Sequence, residues 1–102
     1  MNDWRTRHVC DPDGRDVVFD AGSYLHLAEG TRSWLLEHVD VILSAVEVPD
    51  FREDDPLPKR ERFYRANFPS PARWLRVVVD LNSTPGWVVT ALDQDNDPRP
   101  KS

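Results

Sequence analysis

A single cysteine in 102 residues, Cys10, leaves no internal disulfide to form and no cysteine-based zinc site to build. No apolar run approaches the ~20 residues that cross a bilayer. The opening stretch MNDWRTRHVCDPDG has no hydrophobic signal-peptide core. These absences lead to the expectation of a cytoplasmic chain in a reducing setting, with no membrane partner. With only four glycines, the chain has no Gly-rich phosphate loop. It also has no HExxH, no nucleophile elbow and no metal-ligand spacing, so neither a cofactor nor a metal is expected. What is present argues for a folded domain. The hydrophobic fraction is a modest 39%, but four Trp, four Phe and two Tyr supply bulky core material.

The net charge of −5 opposes a nucleic-acid partner when it is averaged over the chain. It is not evenly spread. Residues 1–55 carry five Arg against thirteen acids, a net of −8, whereas residues 56–92 carry six bases against Glu61 and Asp80, a net of +4. Residues 93–102 add −1. Such segmental asymmetry is more informative than the total.

The pattern along the chain predicts an α+β fold in one domain over residues 1–92, followed by a flexible acidic tail over 93–102. Two short runs, 4–10 and 15–19, bracket Asp11-Pro12-Asp13-Gly14, a four-residue hairpin turn by its Pro and Gly positions. Asp20 is placed to cap a short helix over 21–29, with Tyr24, Leu25, Leu27 and Ala28 as its apolar side and Gly30 closing it. A second helix is expected over 33–47, opened by Thr31 or Ser33. Leu35, Leu36, Val39, Ile42, Leu43 and Val46 form its stripe, and Pro49 stops it. Residues 50–59 read as an acidic, Pro-rich loop with room for a brief strand at 51–53. Three strands follow, 60–67, 73–81 and 86–92, expected as an antiparallel meander. Alternation sets Leu75, Val77, Val79 and Leu81 toward the helices and Trp74, Arg76, Val78 and Asp80 outward. Phe63 belongs in the core, which turns Arg60, Arg62 and Tyr64 to the outer face with Arg76. The inward side of the last strand is not decided by its pattern.

Two constellations carry possible chemistry. His26 lies on the short helix, where a rigid element presents an imidazole suited to proton transfer near neutral pH. Arg60, Arg62, Tyr64 and Arg76 share one sheet face; guanidinium forks fit phosphate oxygens, and a tyrosine offers a stacking ring and a hydroxyl. An exposed strand face carrying cross-strand ion pairs accounts for the same residues without any ligand. His8 and His38 read as structural or solvated.

The strand blocks R-x-R-F-Y-R, LRVVV and VVTA, after a His-bearing helix and a helix ending at Val-Pro-Asp, resemble the small phage-associated and toxin-like nucleases of the barnase, EndoU, colicin and RelE superfold. The likeness runs over residues about 15 to 93. It implies a RelE/barnase-like sheet and a metal-independent ribonuclease that cleaves RNA by attack of the 2′-hydroxyl. By position it implies His26, Arg62, Tyr64 and Thr90 as catalytic residues, with Arg60, Arg65 and Arg76 gripping RNA. An antitoxin or immunity protein would be the neutralising partner. The chain departs from that type in its acidic balance and in lacking extra bases near the first helix. A rival reading from a different class is a non-catalytic module that uses the same fold to bind a protein or RNA.

Overall fold

A computed structural model describes residues 5–101; Trp4, counted above in the first strand, lies outside the described residues. The first two strands, β1 (Arg7–Cys10) and β2 (Asp16–Phe19), pair antiparallel. The turn between them is held from inside. Gly14 N–H donates to the Asp11 carbonyl at 2.9 Å, and Gly14 takes the left-handed φ of 84° that its lack of Cβ permits. The Asp11 carboxylate also accepts from the Asp13 N–H at 3.0 Å and the Arg15 N–H at 2.8 Å.

Helix α1 (Ala21–Ala28) starts at a reciprocal cap. The Asp20 carboxylate accepts from the Ser23 N–H at 3.1 Å, and the Ser23 hydroxyl accepts from the Asp20 N–H at 3.2 Å. Tyr24 and Leu27 are buried, but Leu25, expected among the apolar set, is 56% exposed. With eight residues the helix turns only one narrow stripe to the core, and Leu25 falls beside it. The second helix is in two parts, a 3₁₀ segment over Ser33–His38 and then α2 over Val39–Glu47. Neither Thr31 nor Ser33 caps it; the residue before the 3₁₀ segment is Arg32, which makes no side-chain cap. The tighter winding suits what the segment must touch. Leu35 points wholly inward, while Trp34 and His38 reach Phe68, the Trp34 ring stacked on it at 6.3 Å.

The remaining strands are β3 (Phe51–Asp54), β4 (Arg60–Ala66), β5 (Trp74–Asp80) and β6 (Gly86–Gln94). β3 through β6 pair antiparallel in sequence order, so the expected meander is present with one more strand at its start. The sheet as a whole is mixed. Its order is β1-β2-β6-β5-β4-β3, and β2 runs parallel to β6 through Val17–Gly86 and Val18–Trp87. The antiparallel expectation covered the meander alone and holds there; the N-terminal hairpin joins it through this one parallel pair. Hairpin logic covers only strands adjacent in sequence; β2 and β6 are joined by both helices and three strands, long enough to return in the same direction. Gly86 is required there. A Cβ at this position would lie 2.8 Å from Leu81 Cδ2 and 3.0 Å from the Asp80 carbonyl oxygen.

The helices cover one face of the sheet. Phe63, Leu75, Val77, Val79, Val88 and Ala91 join Ile42, Leu43 and Val46 of α2 in one buried cluster. A bulge decides the side of β6 that alternation left open. Val79 faces Val88 while Val78 faces Thr90, so Val89 is an extra residue and the pleat changes phase across it. Val88 and Ala91 therefore both turn inward, and Thr90 turns outward, in the row Arg62–Val78–Thr90. β6 runs to Gln94, two residues further than expected, and residues 95–101 form no helix or strand.

Candidate functional site

The outer face of β3, β4 and β5 carries the cations picked out above, but mostly in pairs. Arg62 Nε donates to Asp55 Oδ1 at 2.7 Å, and its Nη1 lies 3.7 Å from Glu53. The Tyr64 hydroxyl donates to the same Glu53 at 2.5 Å, and the tyrosine has no exposed surface. Burial first, and then the hydrogen bond to Glu53, raise the Tyr64 hydroxyl above its ordinary pKa, which keeps it neutral. Burial alone pushes the Asp55 carboxyl up, but the Leu57 N–H and Arg62 outweigh it and hold it below the usual range. Arg60 lies 3.6 Å from Asp80, which is held low chiefly by the Asn82 N–H. Arg76 differs. It lies over the Tyr64 ring at 5.8 Å and has no carboxylate partner among the described residues, and its Nε is buried without a hydrogen bond. Arg65 stands opposite Leu75 on the helix side of β4, apart from the other three.

His26 and Thr90 do come together. They line one small pocket of about 200 Å³ where α1 meets the margin of β6, with Thr31 and Arg32 in the same wall. Three local choices build it. The Ser23 hydroxyl donates to the Val88 carbonyl at 2.7 Å and pins α1 against β6 just before the bulge. Thr90 follows the bulge on the face away from the helices and enters this wall at the margin of β6. β2 has already left β6 after Trp87, so this stretch of the strand has no strand neighbour on that side among the described residues. Arg32 is exposed and has no ion-pair partner among the described residues. Arg62 and Tyr64 are not in this wall. Thr90 and Arg62 share a face two strands apart, on the order of 10 Å at the usual strand spacing. The four nominated residues thus form two pairs, His26 with Thr90 and Arg62 with Tyr64.

A second charged cluster lies on the helix side, at the end of the sheet. Arg15 Nε donates to the buried Asp11 at 2.6 Å and its Nη2 to Glu61 at 2.8 Å. Arg52 donates to both Glu61 and Asp13 at 2.8 Å and covers the Phe63 ring at 5.2 Å. Asp13 and Glu61 hold Arg52 firmly in its charged form. This clasp ties the β1–β2 turn to β3 and β4. Sequence reasoning missed it, although Glu61 sharing a face with Phe63 was the available signal: an inward carboxylate needs a cation.

No group of three or more His, Cys, Asp or Glu among the described residues is arranged to hold a metal ion, and no helix among them is long and apolar enough to cross a membrane. Comparison with protein-family models, with curated proteins and with solved structures finds no match.

Proposed function

We propose that the chain is a metal-independent ribonuclease of the RelE/barnase-like type, acting at the pocket between α1 and β6. The observation that carries this reading is the meeting of His26 and Thr90, 64 positions apart in sequence, in one wall that also holds Arg32, a cation with no ion-pair partner among the described residues. Cleavage without a metal needs a proton acceptor and a fixed positive charge beside the phosphate. In this reading His26 takes the proton of the 2′-hydroxyl, whose oxygen attacks the adjacent phosphorus. Arg32 balances the charge that grows on the non-bridging oxygens, and the Thr90 hydroxyl donates a hydrogen bond to one of them. The phosphorus–5′-oxygen bond breaks, leaving a 2′,3′-cyclic phosphate, and the imidazolium returns its proton to the departing 5′-oxygen. Arg60 and Arg76 then serve as flanking RNA contacts, and an antitoxin or immunity protein would act by covering the pocket.

The test is incubation of the purified chain with total RNA in EDTA. The expected outcome is cleavage that falls by about 100- to 10,000-fold in His26→Ala, the usual contribution of an acid–base group, with an unchanged melting temperature. RNA left intact by the wild-type chain would overturn the reading.

A second reading is a non-catalytic binding module on the same fold. The pairing of Arg62 with Asp55 and Glu53 favours it, together with the buried Tyr64 hydroxyl on Glu53, because these groups are satisfied without substrate.

A further inference from the structure

At the outer end of β5 the chain's own tail is seated in a pocket. The Arg99 guanidinium lies over the Trp74 ring, 5.2 Å from its centroid. Its Nη2 donates to Asp97 Oδ2 at 2.6 Å and its Nε to Asp97 Oδ1 at 3.0 Å, a two-pronged clamp. Asp97 most strongly, and Asp50 from the far wall, favour its charged form. Asp50, Asp95, Ala66 and Asn67 complete a cavity of about 520 Å³ around that stack. An aromatic plate backed by carboxylates is the general recipe for holding a guanidinium. Here one is seen in place.

The hold is loose. The Arg99 side chain is 59% exposed and Asp97 44% exposed, and exposed pairs of this kind contribute little to stability. The segment Asp97-Pro98-Arg99-Pro100 forms no regular structure, and its prolines favour an extended chain. Trp74 itself is packed into the sheet edge-on to Tyr64, with ring centroids 6.4 Å apart, so the plate belongs to the sheet while its occupant is held by exposed contacts. Nothing in the proposed ribonuclease chemistry uses these residues.

We propose that the Trp74 pocket is a docking site for a proline-flanked arginine on an extended basic segment of another protein, and that Arg99 occupies it in the free chain. The net negative charge suits such a partner, and Asp50 remains to receive it when the tail lifts, Asp95 being bound to Arg73. A tethered tail competes as if present at millimolar concentration, so vacating the pocket should sharpen binding from outside.

The experiment follows the Trp74 indole N–H signal of the full-length chain while a Pro-Arg-Pro-Lys peptide is added. Arg99→Ala should show saturable shifts at about tenfold or more lower peptide concentration than wild type. Pro-Gln-Pro-Lys should give none, and adding Asp50→Asn, which keeps an acceptor for the Ala66 N–H, should weaken the response. Equal response of wild type and Arg99→Ala, no response in either, or an equal effect of the glutamine peptide would each overturn the site. Because the readout is peptide binding, these outcomes leave the ribonuclease reading untouched.

Discussion

The state of Arg62 can be changed without touching Arg62. Asp55→Asn with Glu53→Gln removes both carboxylates that face it while keeping oxygen acceptors for the Leu57 N–H and the Tyr64 hydroxyl. The Arg62–Asp55 pair is partly buried, at 21% and 10% side-chain exposure, and the contact to Glu53 is longer and more open. An exposed pair is worth about 0–1 kcal/mol, and the partly buried Asp55 pair sits at the top of that range, so the two together restrain Arg62 by up to about 2 kcal/mol after solvent screening. Released, that energy becomes available to a phosphate, a gain of up to roughly 30-fold in RNA affinity, since about 1.4 kcal/mol is tenfold. The assay is fluorescence anisotropy with a labelled single-stranded RNA across a salt series. The double variant should bind more tightly, with a log–log salt slope steeper by about 0.7, one further phosphate neutralised. An unchanged affinity and slope would refute the idea that internal pairing is what silences this face.

Other outcomes follow from the core and from the titrating groups. Leu43→Ala and Val77→Ala each remove part of the single core shared by α2 and β5, and each should cost about 2–4 kcal/mol in denaturant melts. No loss in either would break the face assignment. The carboxyls of Asp55 and Asp80 are held below their ordinary values in the folded chain. Such groups add stability above the unfolded pKa near 4, and that share is lost as pH falls through the folded value. Thermal melts should therefore weaken below about pH 4, less so in Asp55→Asn/Asp80→Asn. At the other end, the raised Tyr64 hydroxyl resists ionisation when folded, so stability should fall as pH rises past about 10, and Tyr64→Phe should flatten that limb.

The parts of this fold that were legible are those written in local periodicity. The stripe of α2, the Asp20 cap and the inward set Leu75, Val77 and Val79 each follow from a spacing of 3.6 or 2 residues, or from one side chain reaching one backbone N–H. What stayed hidden depended on distant contacts. The parallel β2–β6 pair joins residues some 70 apart, and no pattern in Val17-Val18 announces a partner at Gly86-Trp87. The bulge at Val89 has no mark in the run GWVVTAL, yet it alone decides that Val88 and Ala91 are both inward. For the site, residue types were readable and their pairing was not. Arg62 and Tyr64 were correctly placed on the outer face, but the acids that occupy them come from the loop and strand just upstream, whose charge read only as solvated. Arg32 was passed over because it stands outside the basic segment.

The same contrast bears on how an acidic chain could handle RNA at all. A free cation contributes to phosphate binding in proportion to the counterions it displaces; a paired one must first give up its carboxylate. On the strands, Arg60 and Arg62 are paired across short distances, and Arg73, just before β5, is bound to Asp93 and Asp95. Arg32 and Arg76 have no acidic partner among the described residues, and Arg76 also keeps a buried Nε without an acceptor. The count of bases in residues 56–92 therefore overstates the available positive charge, and the pocket beside Arg32 gains weight although its surroundings are net acidic. Electrostatics of this kind gives weak, salt-sensitive, local binding rather than a broad grip. Arg32→Ala should then lower RNA affinity at least as much as Arg62→Ala does. If Arg62→Ala is the more damaging of the two in the same anisotropy assay, the strand face holds the phosphate after all, and the site moves from the α1–β6 margin to the outer sheet.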